Sequence, residues 1–136
     1  MRKRYVAALS IAFAAGPLYG LVLLGPQHAA GATEPPASFK DDVLPVFQEH
    51  CTSCHQAPNG AGFQASGLDL TSYQGVMKGT KFGPMVVAGN PETSNLMRLL
   101  DWQTSPQLRM PHDKRQLSTC DRDAIRNWIR EGAKDN

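Results

Sequence analysis

The sequence predicts a small, mostly α-helical domain with long loops. Three observations carry that expectation. Apolar residues recur at helical spacing in two segments with recognisable caps, Gly- and Pro-rich stretches separate the segments, and only scattered short apolar pieces could serve as strands. The chain has 136 residues, the size of a single domain, and no internal repeat.

Residues 1–32 stand apart. Arg2, Lys3 and Arg4 precede a mostly apolar stretch from Val6 to Leu24, broken by Gly16, Pro17 and Gly20, and Ala30-Gly31-Ala32 offers a cleavage site. That order reads as a secretory signal peptide. The stretch also approaches bilayer-spanning length, so an uncleaved anchor is the alternative. The expected address is the periplasm, or the outer face of the inner membrane if the segment stays attached. Loss of the three basic residues takes the formal charge from +2 to −1. Nucleic-acid binding then has no electrostatic support. Residues 33–38 (TEPPAS) read as a short polar linker, and residues 39–136 as the folded domain.

A first helix is expected over about Val43–His50. Pro45 fits a first turn, Asp41 and Asp42 sit where the helix dipole favours negative charge, and Val43, Val46 and Phe47 form an apolar face. Gln56–Gly67 reads as a loop, Gly67–Leu70 as a short extended piece, and Thr71–Met77 as one or two helical turns. Lys78–Gly89 reads as a second loop with Val86 and Val87 buried. Asn90 as N-cap and Pro91 at the first position start a further helix, which carries Leu96, Met97, Leu99 and Leu100 to the core. The last helix has the clearest signals. Ser118 caps it, Asp121 completes a capping box, Leu117 precedes as a staple, Ala124, Ile125, Trp128 and Ile129 share a face, and Gly132 ends it.

The first helix runs directly into Cys51-Thr52-Ser53-Cys54-His55. This C-x-x-C-H run is the attachment signature of c-type haem. Two thiols three residues apart can each add to one haem vinyl group, and the adjoining His55 then offers its imidazole as the proximal iron ligand. This composition yields such a run by chance about twice in a thousand chains. The run occurs once, so one covalent haem c is expected. Export suits it, because thiols delivered to an oxidising compartment are consumed by attachment. A domain this small with such loops needs the haem to complete its core, so the haem-free chain is expected to be largely unfolded.

The sixth iron position has several candidates. His50 is too close to the motif to reach the other haem face, and Met97 falls on the apolar face of a helix. Met77 and Met85 lie in loop-like stretches. Met110 stands in Arg109-Met110-Pro111-His112, where Pro111 stiffens the chain. His112 would give bis-His ligation, whereas a Met ligand raises the potential.

The ordered segments together resemble monohaem c-type cytochromes, and in particular the planctomycete-type cytochrome c domain. They are Asp42–Phe47, the C-x-x-C-H run, Gly67–Leu70, Val87–Pro91 with Ser94, Met110-Pro111, Leu117-Ser118 and Trp128–Ala133. The likeness extends from about Phe39 to Ala133. It implies a small cytochrome c-like fold with long loops wrapped around one covalent haem, with the first and last helices packed across each other near the haem edge. It also implies that Met110 is the distal ligand. Cys120 departs from the pattern. Its simplest reading is a small, partly buried hydrophobe, and a reactive or disulfide-forming thiol is the alternative.

Zinc held by Cys51, Cys54, Cys120 and a His is the rival chemistry, but it requires a distant Cys120 to converge. Two functional classes follow. The first is an exported electron carrier that is not an enzyme, served by redox partner proteins. The second is a haem enzyme subunit or gas sensor with an open or displaceable sixth position. His50 and His112 lack the partners that peroxide chemistry needs, which favours the carrier. Nothing in the sequence points to an oligomer.

Overall fold

A computed structural model describes residues 35–136. The expected signal peptide, residues 1–32, lies outside the described residues. Within them no strand forms, apart from a single bridge between Thr80 and Gly83, and no helix is long and apolar enough to cross a membrane. The mostly helical expectation holds.

The chain enters through a π-helical turn, Phe39–Val43, capped by Ser38, whose hydroxyl accepts from the Asp41 N–H. The turn continues into α1, Leu44–His50, with Pro45 in its first turn. Helix α1 leads straight into the cysteine motif, as its spacing predicts. Four more helices follow: α2, Ala61–Ser66; α3, Tyr73–Lys78; α4, Asn95–Leu100; and α5, Thr119–Arg130. A 3₁₀ turn at Pro106–Leu108 interrupts the long connection between α4 and α5.

Helix α5 follows its sequence signals closely. Ser118 accepts from the Asp121 N–H at 3.1 Å, and Leu117 is buried. The Asp121 carboxylate accepts from the Ser118 hydroxyl at 2.7 Å rather than reaching back to the Ser118 N–H. Ile125, Trp128 and Ile129 are buried, as the periodicity requires.

Three expectations are corrected. The stretch Gln56–Gly67 is not all loop: α2 occupies half of it. The helix expected to start at Asn90 starts at Asn95. Asn90 instead caps a single turn, its side chain accepting from the Thr93 N–H at 3.1 Å. The buried Ser94 hydroxyl accepts from the Val87 N–H at 2.9 Å and donates to the Asn90 carbonyl at 2.8 Å. A side chain committed to the preceding loop delays the helix by one turn. Val86 is buried as expected, but Val87 is exposed.

The core gathers where the two ends of the domain meet. Phe39, Tyr73 and Trp128 form an aromatic cluster with ring centroids 5.4 to 6.3 Å apart. Edge and tilted contacts of this kind add to the burial of the rings themselves. The polar atoms of these aromatics are also satisfied. Trp128 Nε1 donates to the Lys134 carbonyl at 2.7 Å, and Tyr73 Oη donates to the Ala133 carbonyl at 2.9 Å. Main-chain groups lace the ends together: Lys40 N–H donates to the Asn136 carbonyl at 3.0 Å, and Ala37 N–H to Glu131 Oε2 at 2.7 Å. The π-helical turn is thereby packed against α5, so the element that meets the last helix is the turn before α1 rather than α1, the first helix expected to cross it.

Candidate haem site

The motif is fastened on both sides. Cys51 N–H and Thr52 N–H both donate to the Phe47 carbonyl, at 2.8 and 2.9 Å, so the turn grows out of the end of α1. His55 N–H donates to the Cys51 carbonyl at 2.9 Å, which coils the five residues into one compact turn. On the far side, Phe63 N–H donates to the Cys54 carbonyl and Leu70 N–H to the His55 carbonyl. Helix α2 and the Leu68–Leu70 segment therefore hold the histidine from two directions.

Two glycines make that approach possible. A Cβ at Gly60 would collide with the Cys54 carbonyl, and a Cβ at Gly62 would lie 2.7 Å from His55 Nε2. Helix α2 lies flat against the imidazole because Gly62 has no side chain. These glycines escape sequence reasoning, since Gly beside Ala and Pro reads as loop. Their role is close approach, and the only sequence signal is their nearness to His55.

Cys51, Cys54 and His55 line one large cavity of ≈ 840 Å³. That volume lies in the upper part of the range of about 300–1,000 Å³ usual for small-molecule and cofactor sites. Phe47, Leu68, Leu70, Met85, Leu96 and Leu99 supply much of its apolar wall. At its mouth stand Phe82, Leu108 and Val87, which are 81%, 56% and 41% exposed. They are the exposed large hydrophobics among the described residues, and all three line this cavity. Apolar side chains concentrated at one opening mark a surface built to be covered.

The polar groups are equally particular. No Asp or Glu is among the described residues that line the cavity, whereas Arg98 and Lys114 are. Neither cation is in an ion pair among the described residues. His55 Nδ1 and Thr104 Oγ1 are buried without a hydrogen-bond partner there. Buried polar atoms left unpaired in this way are costly and point to a missing partner. Burial lowers the proton affinity of His55, and the nearby backbone of Leu68 opposes this in part without completing a hydrogen bond. The imidazole is thus favoured in its neutral, ligating form. Burial pushes the Cys51 thiol up to about 11, against the pull of the Lys114 ammonium and with a smaller push from Cys54. The protonated thiol is thereby favoured at Cys51 at neutral pH.

The ligand candidates separate by position. Met110, Met85, His112 and His50 line the cavity. Met97 is buried in the core, in agreement with its helical face, and Met77 packs against the core without reaching the cavity. The Met110 main chain is tied at both ends: its N–H donates to the Leu99 carbonyl at 3.2 Å, and its carbonyl accepts from Trp102 Nε1 at 3.0 Å. Cys120 corrects an expectation, being exposed in the first turn of α5 rather than partly buried. It does not line the cavity with Cys51 and Cys54, and no three His, Cys, Asp or Glu residues gather as a metal cluster among the described residues.

These features fit a flat, apolar, dianionic cofactor such as haem. The apolar wall and exposed lip suit the porphyrin, Arg98 and Lys114 suit its carboxylates, and the two cysteines with an unpaired neutral imidazole suit attachment and ligation.

Residues 51–113 match the family model described as Planctomycete cytochrome C. The matched segment opens on Cys51 and closes just past Met110-Pro111, narrower than the likeness read from the ordered motifs. No curated protein and no solved structure gives a significant match to the chain.

Proposed function

We propose that the planctomycete-type cytochrome c domain of this chain is an exported single-haem electron carrier, with the haem held covalently and ligated by His55 and Met110. The observation that carries the reading is the convergence of Cys51, Cys54, His55 and Met110 on one apolar cavity without an acidic lining residue among those described.

When bound, the haem supplies a one-electron iron couple. The protein's own residues do the rest. Cys51 and Cys54 would hold the haem as thioethers, through addition of each S–H across a vinyl group with nothing released. His55, held neutral by burial and pressed by α2, offers Nε2 or Nδ1 in a fixed orientation. Met110 offers a soft sulfur that favours the reduced state. Arg98 and Lys114, which line the cavity, would balance the haem carboxylates, and Phe82 and Leu108 would help to cover its ring.

The test is a visible spectrum with redox titration of the holoprotein. Covalent haem c should survive denaturation, and a far-red Met–iron band should vanish in Met110→Ala. A high-spin ferric spectrum with rapid carbon monoxide or peroxide binding in the wild type would instead establish an open sixth position, and with it the enzyme or sensor reading.

A further inference from the structure

We propose that Trp102 is a positioning residue that holds Met110 in its ligating place, an inference that rests on the His55/Met110 reading. Met110 lies in the long connection between α4 and α5, where only the short Pro106–Leu108 turn is regular. A sulfur on such a loop would have to be ordered each time it bound. Here both main-chain polar groups of Met110 are referred to the end of α4 instead. Its N–H donates to the Leu99 carbonyl at 3.2 Å, and its carbonyl accepts from the Trp102 indole at 3.0 Å.

Trp102 is itself held in an unusual state. Its φ is 59°, in the left-handed region where a bulky residue is a genuine outlier. Such a conformation persists only where the surroundings over-determine it, and it concentrates at functional sites. The surroundings are visible. The Arg109 guanidinium lies 5.1 Å from the centroid of the Trp102 ring, so the residue just before Met110 stacks on the same indole that binds its carbonyl. The neighbouring Asp101 is clamped from α5, accepting from Arg122 Nη1 at 2.8 Å and from Arg126 Nη2 at 2.9 Å. Two successive residues thus fix the end of α4: Asp101 to the last helix, Trp102 to the Met110 loop. The device pre-organises a ligand, and pre-organisation cuts the ordering cost of each binding event.

The test is competition for the sixth position by added imidazole, followed in Trp102→Phe and wild-type holoprotein. Phe keeps a ring under Arg109 and removes the N–H. Loss of one hydrogen bond predicts imidazole displacing Met110 at roughly three- to tenfold lower concentration in the variant. A merely structural role would lower melting temperature and leave this competition unchanged, so an imidazole affinity within about twofold of wild type overturns the proposal. Met110→Ala separates the two levels. If it leaves the wild-type spectrum unaltered, the ligation reading fails and the positioning role falls with it. If it abolishes the far-red band while Trp102→Phe competes like wild type, only the positioning role fails. Should Trp102→Phe not retain haem, hydrogen exchange in ferrous wild type decides. An indole N–H protected together with the Met110 amide upholds the clamp, and an indole exchanging at the solvent rate overturns it.

Discussion

Two regions of this domain are built on opposite principles. Where the termini meet, around Phe39, Tyr73 and Trp128, rings pack on rings, Trp128 is 1% exposed, and each indole and phenol finds a carbonyl. Around Cys51, His55 and Met110 the reverse holds: large apolar side chains stand in solvent, polar atoms are buried unpaired, and a cavity of ≈ 840 Å³ separates the walls. The first region is complete as polypeptide. The second is lined as a site for a further apolar, anionic body would be. One sequence can thus encode a finished interior and a deliberately unfinished one, and the unfinished one marks the site.

That contrast can be broken most directly by withholding haem. The haem-free chain, prepared by Cys51→Ser with Cys54→Ser, is expected to lose cooperative thermal unfolding and most of its helical circular dichroism. A haem-free chain that still melts cooperatively would show that the terminal cluster stands without the cavity. Trp128→Ala attacks the finished region instead. Removing a fully buried aromatic is expected to cost about 3–5 kcal/mol in chemical denaturation. The far-red band should survive in whatever fraction remains folded, since Trp128 does not line the cavity.

Gly62→Ala tests the seam on the cavity side. The new Cβ must push α2 or the His55 ring away, and overpacking of this kind costs about 1–3 kcal/mol. The informative readout is spectroscopic: a shifted midpoint potential, or weakened proximal ligation, with the terminal cluster's denaturation baseline unchanged.

Asp101 joins the two regions and makes a pH-dependent contribution. Its side chain is only 10% exposed, and burial by itself would raise its pKa. Hydrogen bonds and charge from Arg126 and Arg122 outweigh burial and hold it below the usual carboxylate range. The stability it confers is therefore fully present above the unfolded value of about 3.9, and is lost as pH falls through the lower folded value. Asp101→Asn is expected to cost about 1–3 kcal/mol in urea unfolding at pH 7, and to flatten the acid limb of the stability curve. An unchanged acid limb would place that limb on other carboxylates. Phe82→Ser comes last. With the ring 81% exposed, global stability should move by no more than about 0.5 kcal/mol. The potential should nevertheless shift if the ring shields a haem edge.

Local signals carried far in some places and failed in others. Helix α5 was legible because its cap, staple and apolar face all lie within sixteen residues, and the C-x-x-C-H run is legible because attachment demands that spacing. Helix α2 was not, because six residues set between Gly60 and Gly67 are too few to show a helical period or to hold a helix alone, and its packing beside the His55 ring is a tertiary contact. Ser94 delayed α4 through a bond to a residue seven positions away, and Val87 reads as buried by composition yet stands at the cavity mouth. The Met110 candidate was legible as a loop methionine, while the indole that ties it down was not, since an isolated Trp102 carries no pattern.

By itself, the sequence determined what chemistry is available: two thiols and an imidazole at fixed spacing, a capped last helix and a short list of possible sulfur and imidazole ligands. Those are properties of neighbours along the chain, set by covalent reach and helical period. Tertiary structure decided which candidates share a cavity, leaving Met77 and Met97 outside it and Met110, Met85, His50 and His112 within. It also decided which cations face that cavity, and that the Met110 main chain is held by Leu99 and Trp102. Those choices depend on which distant surfaces bury each other, and burial is a property of the whole fold rather than of any window of residues.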